Sequence, residues 1–266
     1  MIMTKSTPTP REFRTLAIEA ARLGSAALSH GQATRDAISK RIPGDVVTEM
    51  DRAVELRIRE HLSDRRPNDR IVGEELADSG SGATGFEWFI DPIDGTSNFV
   101  HGLALHCTSV AVYDSERERW VAGAIAVHSD EAVYAAAAGD GAQKMLADGT
   151  VIALDATPAP GNPRLLGVGL SYDPDVRARQ LDDISARMSD YDDMRSLGTA
   201  AFALCLVAEG VFASFVETDL FVYDWAAGAL IAEESGAVVE RPRGLGRGPI
   251  IAHGRRSGED RDARRR

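Results

Sequence analysis

The run Trp-Phe-Ile-Asp-Pro-Ile-Asp-Gly-Thr at positions 88–96 constrains this chain more than any other segment. Its apolar residues predict the end of a buried strand, and Pro92 then fixes the backbone between Asp91 and Asp94. Both carboxylates and the carbonyl of Ile93 can therefore converge on one point. Oxygen donors without Cys or His suit Mg²⁺ or Mn²⁺ better than zinc. The run predicts a metal site at the junction of a strand and a turn.

Other acidic segments support a metal site over the alternative, a surface turn built from turn-forming residues. Gly95 and Thr96 follow the run and predict a short helix, whose free amide groups can hold a phosphate oxygen. Glu74 ends a short predicted strand in the segment Gly-Glu-Glu at 73–75, and Asp224 opens an apolar helical pattern. Taken alone, Asp224 also fits a plain helix N-cap.

Together these segments resemble the inositol monophosphatase family of Mg²⁺-dependent, lithium-sensitive phosphatases. The matching segments, in the order and spacing of the family, are GDVVTEMD at 44–51, GEE at 73–75, WFIDPIDGTSNFVHG at 88–102, SLGTAA at 196–201 and YDWAAG at 223–228. The resemblance covers residues from about 10 to 252. It implies a metal-dependent phosphomonoesterase, with Mg²⁺ as the expected cofactor and Mn²⁺ as the alternative.

The resemblance also implies which residues hold the metal ions. Glu74, Asp91 and the carbonyl of Ile93 would hold a first ion, and Asp91, Asp94 and Asp224 a second. A third, weaker ion would depend on Glu74 and otherwise on water, because Mg²⁺ gives up its hydration shell reluctantly.

The same resemblance implies how water attacks the phosphate. Asp51 and Thr96 would form a dyad that orients and deprotonates the attacking water, while the amides of Gly95 and Thr96 bind the phosphate. Lys40 is expected close to the phosphate and the third metal, although a solvated surface charge is the alternative. The metals would activate the water and neutralise the leaving alkoxide. No Ser, Cys or His stands in a recognisable nucleophile setting, so no phosphoenzyme is expected.

Candidate substrate contacts lie in the second half of the chain. Glu217 corresponds to a family glutamate that binds sugar hydroxyls, with a solvated carboxylate at a strand end as the alternative. Gly198, Thr199 and Ala200 align with a helix start that borders the substrate ring, although an ordinary helix entry also fits. Ser171 is a further candidate for this pocket.

The chain departs from the family pattern beside the last metal ligand. The family has Trp directly before this Asp, whereas here Tyr223 precedes it and Trp225 follows it. We expect Asp224 to keep its place and the apolar wall around it to change.

The order of predicted elements indicates an α+β fold. Strand runs and helix pairs segregate, which favours layers over a doubly wound sheet, and the resemblance implies a layered αβαβα sandwich of the inositol monophosphatase and fructose-1,6-bisphosphatase type. We expect one phosphatase domain over 10–252, with lobes of about 10–147 and 148–252, since residues 148–163 are rich in Pro, Gly and Asp. Residues 1–9 and the Arg-rich 253–266 are expected to be disordered tails.

Composition and charge limit the classes of partner that this chain can bind. A net charge of −11 argues against nucleic acid or an anionic membrane as a partner. No apolar run is long enough for a membrane span, so a cytoplasmic enzyme is expected. Cys107 and Cys205 lie in apolar runs and are expected to be reduced core thiols. A homodimer is expected from the resemblance alone.

The sequence therefore predicts a phosphomonoesterase that hydrolyses an inositol monophosphate to inositol and phosphate. Histidinol phosphate, fructose 1,6-bisphosphate and 3′-phosphoadenosine 5′-phosphate remain open as substrates, because relatives with the same metal motifs cleave each of them. From a different class, a non-catalytic regulatory binding protein is the alternative, since some bacterial relatives assist transcription complexes. Every implied metal ligand is intact, which favours catalysis.

Overall fold

The computed structural model of this protein describes residues 8–30, 37–40 and 46–255. The helices in these ranges are α1 (Pro10–His30), α2 (Glu49–Arg65), α3 (Thr96–His101), α4 (Pro174–Arg187), α5 (Ala200–Ala208) and α6 (Val222–Glu234). The strands are β1 (Ala37–Ser39), β2 (Val46–Thr48), β3 (Arg70–Gly73), β4 (Phe86–Asp94), β5 (Cys107–Asp114), β6 (Arg119–Val127), β7 (Val133–Ala137), β8 (Ala142–Met145), β9 (Val151–Ala153), β10 (Leu165–Val168), β11 (Asp193–Arg195), β12 (Ser214–Leu220), β13 (Val238–Glu240) and β14 (Gly248–His253).

Two large sheets and three helical layers alternate, which confirms the predicted αβαβα sandwich, and β1 and β2 form a separate two-stranded sheet. The larger sheet has the strand order β3-β4-β5-β6-β7-β8-β9, and the smaller one has the order β11-β10-β12-β14-β13. Helices α1 and α2 cover the outer face of the larger sheet. Helices α5 and α6 fill the space between the sheets, and α4 packs on the far face of the smaller sheet.

Apolar spacing explains the outer helices. On α1, Phe13, Ala17 and Ala20 recur at three- and four-residue steps and are buried. On α2, Val54 and Ile58 repeat at a four-residue step and have no exposed surface. Both helices therefore present one apolar face to the larger sheet.

The central helices are apolar on every side, because both of their faces are covered by a sheet. Small residues let these layers approach closely. A Cβ on Gly123 of β6 would lie 2.9 Å from the Cα of Ala227 on α6, and one on Gly228 would lie 2.7 Å from the Cβ of Leu204 on α5. The start of α6, which carries Asp224, is thus held between the larger sheet and α5.

The connection between the two large sheets overlaps the segment 148–163 that is expected to mark the lobe boundary. Strand β9 still pairs with β8 in the larger sheet, and 154–164 then leads into the smaller sheet. Sequence reasoning missed β9 because it has only three residues, all exposed, next to Gly149. The two expected lobes also share the central helical layer, since α6 packs on the larger sheet.

The C-terminal strand extends past the expected start of the tail. Strand β14 includes His253, and the amides of Gly254 and Arg255 donate to the carbonyls of Ala213 and Ala156. The expected tail therefore starts at least three residues too early. Residues 1–7 and 256–266 of the two expected tails lie outside the described residues.

The two cysteines and the helices agree with what the composition leads us to expect. Cys107 and Cys205 are both free and buried, as expected of core thiols. Within the ranges that the structure covers, no helix is long and apolar enough to cross a membrane.

The close approach of β6 and α6 predicts that Gly123→Val destabilises the fold. The added methyl groups would collide with the backbone of α6 at Ala227, and overpacking of this kind costs about 1–3 kcal/mol in the free energy of unfolding. Urea denaturation followed by circular dichroism measures this loss. The matched control is Gly246→Ala, whose Cβ would meet nothing nearer than the Arg243 carbonyl at 3.6 Å. Equal stabilities of the two variants would contradict the packing argument.

Candidate active site

Asp91 and Asp94 lie where β4 leaves its regular pairing with β5. The register shifts between these two residues, so that β4 carries one extra residue opposite β5. The hydroxyl of Thr108 on β5 donates to the Pro92 carbonyl at 2.9 Å. Because proline has no N–H to give to the strand ladder, the bulge falls where regular pairing would fail anyway. Both carboxylates thus leave the strand at the same edge, and both are buried.

Gly95 turns the chain from β4 into α3. Its φ angle of +96° lies in the left-handed region, and a Cβ there would come within 3.0 Å of the Leu105 carbonyl and 3.2 Å of the Gly198 carbonyl. Both observations require glycine at this position. Helix α3 then begins at Thr96, which confirms the predicted short helix.

Asp51 and Thr96 come together, although 45 residues separate them in the chain. The hydroxyl oxygen of Thr96 lies 3.1 Å from Oδ1 of Asp51 and 2.9 Å from the Ile93 carbonyl oxygen. Asp51 is fully buried, and its other oxygen, Oδ2, accepts from the amide and the hydroxyl of Thr48, at 2.7 and 2.6 Å. This capping box at the start of α2 holds Asp51 so that Oδ1 remains for Thr96.

Asp94 is bound by the start of α5. Its Oδ2 accepts from the hydroxyl of Thr199 at 2.5 Å and from the amide of Ala201 at 2.7 Å. The unpaired amides and the dipole of a helix N-terminus stabilise a carboxylate placed there. The side-chain amide of Asn98 also joins the two halves of the chain, since it donates to the carbonyls of Leu105 and Leu197, at 2.6 and 2.7 Å.

Glu74 and Glu75 follow β3, and both contact the ammonium group of Lys40. The Nζ atom lies 2.7 Å from Glu74 Oε1 and 2.5 Å from Glu75 Oε1. Burial lowers the pKa of Lys40, but the two carboxylates outweigh it and the net pKa is raised. Lys40 thus carries a positive charge that compensates Glu74, while its contact with a phosphate stays a prediction.

Asp224 lies in the first turn of α6, where its Oδ2 accepts from the amide of Phe221 at 2.7 Å. Asp224 is therefore not the N-cap that its sequence position also allows: the N-cap is Phe221, and Asp224 is the third residue of the helix, whose side chain accepts from the N-cap amide. The two aromatic residues that flank Asp224 in the sequence have different surroundings. Trp225 is fully buried and packs edge-on against Trp120, with ring centroids 5.6 Å apart, whereas Tyr223 is half-buried on the side of the carboxylates.

The acidic residues lie within electrostatic reach of one another. Burial raises the pKa of Asp91 well above its usual value, and the charges of Glu74, Asp94, Asp224 and Asp51 raise it further. Burial also raises the pKa of Glu74 to about 7 and the pKa of Asp94 to about 6. The structure therefore brings together the four acidic side chains that the sequence assigns to one metal site.

This donor set fits a hard divalent cation. Carboxylate oxygens with an excess of negative charge suit Mg²⁺, and within the described residues Oδ1 of Asp91 is buried without a hydrogen-bond partner. As the side chains stand, no group of three Asp, Glu, His or Cys residues in the described ranges is arranged to hold a metal ion. Glu74, Asp94 and Asp224 each have a protein partner instead. Ligation by individual residues stays a prediction.

Sequence reasoning missed a buried ion pair beneath the Glu74 turn. Glu55 and Arg59, four residues apart on α2, are both buried and are joined at 2.7 Å. Glu55 accepts from the amides of Glu75 and Leu76, at 2.8 and 3.3 Å, and Arg59 donates to the Leu76 carbonyl at 3.1 Å. The sequence pattern that could have predicted this ion pair is a Glu and an Arg four residues apart, next to the apolar stripe of α2. The pair fixes the backbone from which Glu74 extends.

Glu217 lies at the border of the carboxylate cluster. Its carboxyl group packs over Gly169, where a Cβ would come within 1.7 Å of Oε2, and it makes no hydrogen bond with the described residues. Burial, and then the charge of Asp94, raise the pKa of Glu217 to about 8. Glu217 is therefore largely protonated at neutral pH and can donate as well as accept a hydrogen bond.

The other expected substrate contacts have different surroundings. Ser171 lies in the loop between β10 and α4, where its amide donates to Oε1 of Gln180 at 2.7 Å. Gly198, with φ of +72°, precedes Thr199, which is the N-cap of α5. The hydroxyl of Thr199 donates to the cluster, and Ala200 is buried at the start of the helix. Contacts of these residues with a substrate stay predictions.

Comparisons with known proteins agree with this geometry. A sequence model of the inositol monophosphatase family matches residues 10–259. An inositol-1-monophosphatase of Mycobacterium leprae is 37% identical over 213 residues, which are 77% of this chain and 71% of that protein. A fructose-1,6-bisphosphatase/inositol-1-monophosphatase of Aquifex aeolicus is 32% identical over 215 residues, which are 78% of this chain and 76% of that protein.

The likeness extends over almost the whole chain. A protein of Neisseria meningitidis described as a putative Nus factor SuhB is 32% identical over 252 residues, which are 90% of this chain and 92% of that protein. Among solved structures, Mycobacterium tuberculosis SuhB superposes with a TM-score of 0.78 at 32% identity, covering 93% of each chain. The family match at residues 10–259 contains the two large sheets and all the acidic segments.

The buried pair beneath Glu74 predicts a large loss of stability for Glu55→Ala. The substitution leaves the guanidinium of Arg59 buried without its carboxylate, and breaking a buried pair in this way costs about 3–5 kcal/mol. The free energy of unfolding in urea measures the loss. Glu60→Ala, on an exposed position of the same helix, is the control and should stay within about 0.5 kcal/mol of the native protein. If both variants unfold at the same urea concentration, the Glu55–Arg59 pair does not stabilise the fold as argued.

Proposed function

Since this chain belongs to the inositol monophosphatase family and is a phosphoric monoester hydrolase, we propose that it uses Mg²⁺ to hydrolyse an inositol monophosphate to inositol and phosphate. The observation that best supports the metal is the buried Oδ1 of Asp91, which has no hydrogen-bond partner among the described residues and lies within reach of four other carboxylates. Metal dependence and lithium sensitivity are typical of the family.

The proposed metal ligands are the residues of the carboxylate cluster. Glu74, Asp91 and the Ile93 carbonyl would hold one ion, Asp91, Asp94 and Asp224 a second, and Glu74 a third and weaker one. Bound Mg²⁺ supplies a Lewis acid for the phosphate and lowers the pKa of a coordinated water. The protein contributes the negative charge that attracts the cations, and Lys40 offsets part of it.

Thr96 and Asp51 are proposed to activate the attacking water. The Thr96 oxygen accepts a proton from water while its own hydroxyl proton passes to Oδ1 of Asp51, 3.1 Å away. Thr48 holds the other oxygen of Asp51, so the acceptor does not rotate away. The oxygen of the activated water then attacks phosphorus in line with the departing alkoxide.

Binding of the substrate is divided between the two ends of the site. The amides of Gly95 and Thr96 are proposed to bind the phosphate, and Lys40 to add a positive charge near it. Glu217 is proposed to bind hydroxyl groups of the alcohol, because its carboxyl group has no partner in the described part of the chain and can donate as well as accept. Gly198, Thr199, Ala200 and Ser171 are proposed to border the same group.

Other functions have specific support from relatives. The Aquifex aeolicus relative carries fructose-1,6-bisphosphatase in its description, which favours fructose 1,6-bisphosphate as the second candidate substrate. The Neisseria meningitidis relative is described as a putative Nus factor, which favours a regulatory partner in addition to catalysis. A homodimer and a cytoplasmic location are further proposals that follow from the family.

Loss of the metal cluster or of the dyad is expected to abolish hydrolysis. Asp91→Asn removes the central carboxylate charge and Thr96→Ala removes the proton acceptor. Each should lower kcat/KM by about two orders of magnitude or more. Phosphate release with and without Mg²⁺ measures the effect, and Asp64→Asn on an exposed position of α2 is the control. Activity of native protein that is independent of Mg²⁺, or unimpaired by Asp91→Asn, would contradict the proposed metal role.

A substrate panel tests the proposed alcohol. Inositol 1-phosphate, histidinol phosphate, fructose 1,6-bisphosphate and 3′-phosphoadenosine 5′-phosphate are compared by kcat/KM under identical Mg²⁺ concentrations. Inositol 1-phosphate is expected to be hydrolysed at least as well as the others. Preference for histidinol phosphate by more than about tenfold, equivalent to about 1.4 kcal/mol, would show that the proposed substrate is wrong.

A further inference from the structure

The ammonium group of Lys40 has two carboxylate partners, and the catalytic proposal gives a role to one of them. The Nζ atom lies 2.7 Å from Oε1 of Glu74, a proposed metal ligand, and 2.5 Å from Oε1 of Glu75, which has no assigned role. The side chain of Glu75 is 6% exposed, whereas that of Glu74 is 19% exposed. Glu75 is therefore the more deeply buried partner of this lysine.

Glu75 depends on Lys40 for its compensating charge. Within the described part of the chain, no other Lys, Arg or His forms an ion pair with Glu75. Burial raises the pKa of Glu75, the contact with Lys40 lowers it, and the negative charges of Asp51 and Glu55 raise it again. A buried carboxylate that loses its cation is strongly destabilising, so the fold favours the contact between Glu75 and Lys40.

The backbone at Glu75 is held in place from α2. Its amide donates to Oε2 of Glu55 at 2.8 Å, and Glu55 is paired with Arg59 at 2.7 Å. The fit around Glu55 is close, since a Cβ on Gly73 would come within 1.9 Å of its Oε1. The carboxylate of Glu75 therefore extends from a fixed position towards Lys40.

A metal ion on Glu74 competes with Lys40 for the same carboxylate. An ammonium group and a divalent cation repel each other, so a carboxylate that ligates the ion holds Lys40 less strongly. The ammonium then needs another carboxylate, or it moves into solvent. Glu75 already contacts the ammonium and is not among the proposed metal ligands.

From these contacts we propose that Glu75 is a positioning residue, which retains the ammonium group of Lys40 when Glu74 binds the metal ion. This inference rests on the proposed function, because it takes Glu74 as a metal ligand. The two adjacent glutamates then have different roles: Glu74 binds the metal ion and Glu75 holds the lysine. Lys40 thus keeps its positive charge beside the site without occupying a metal ligand.

Chemical labelling of lysine tests this inference, because an acylating reagent reacts with the free amine and an ion pair favours the unreactive ammonium form. Mass spectrometry of peptides reports separately on Lys5, Lys40 and Lys144, the lysines of the chain. The labelling rate of Lys40 is compared in native protein and in Glu75→Gln, each with and without Mg²⁺.

The expected result is a response to Mg²⁺ in the variant alone. Native protein should label Lys40 slowly under both conditions, and Glu75→Gln should do so without Mg²⁺, because Glu74 remains as a partner. With Mg²⁺, Lys40 of Glu75→Gln should be labelled about tenfold faster, which corresponds to about one pKa unit of lost ion pairing. Where calorimetry shows that Mg²⁺ binds, an equal rise in both proteins, or no rise in either, would overturn the inference.

Lys144 is the internal control, since it pairs with Glu209 at 2.9 Å and contacts neither glutamate of the 74–75 pair. Each rate at Lys40 is therefore expressed as its ratio to the rate at Lys144, which removes any general effect of a substitution on folding. Glu60→Gln, at an exposed position of α2, is the matched control variant. It should leave the ratio within about twofold of the native value, with and without Mg²⁺.

The inference and the proposed function can fail separately. If native protein binds no Mg²⁺ in calorimetry, the proposed function fails, and the role of Glu75 is then tested without metal. Glu74→Gln removes the charge of Glu74 and leaves Glu75 as the partner of Lys40. Lys40 should stay protected in this variant and be labelled about tenfold faster when Glu75→Gln is added to it. Equal rates in the single and the double variant would overturn the inference.

Discussion

Buried carboxylates that repel one another are the main constraint on this structure, because the fold is stable only if neighbouring groups offset their charge. Asp91 is almost fully buried, and the charges of Glu74, Asp94, Asp224 and Asp51 all act on it. Two like charges about 4 Å apart repel by roughly 4 kcal/mol at the effective dielectric constant typical near a protein surface. A fold of ordinary stability, about 5–15 kcal/mol, accommodates this cluster only if nearby groups offset the charge. The surrounding elements are arranged to supply them.

Groups from different parts of the fold offset the charge of this cluster. The outer helix α2 contributes its capping box, in which Thr48 donates to Asp51. The central layer contributes the amide of Ala201 at the start of α5, which donates to Asp94. Lys40 contributes the one ammonium that contacts Glu74 among the described residues. Since these donors come from elements far apart in the chain, the site forms only when the layers are assembled, and its geometry depends on the stability of the whole fold.

Local patterns in the sequence were enough to predict the acidic segments, the short helix α3 after Gly95 and the apolar helix that Asp224 opens, because apolar spacing and helix-start signals act within a few residues. Long-range contacts could not be predicted in this way. The bond from Thr199 to Asp94 spans 105 residues, and strand β9 was missed because three exposed residues carry too weak a pattern. The role of Glu55 needed the position of the Glu74 turn, which only the folded chain gives.

Tyr223 and Trp225, the two aromatic residues that flank Asp224, have different surroundings. Trp225 is fully buried and packs edge-on against Trp120. Tyr223 takes the side of the carboxylates, and burial, followed by the charges of Glu74 and Asp224, raises its pKa. Its phenol therefore stays protonated and offers an O–H donor, where the resemblance to the family implies an indole ring. Asp224 accepts from the Phe221 amide, so the backbone at the start of α6, and not the neighbouring aromatic ring, orients its carboxylate.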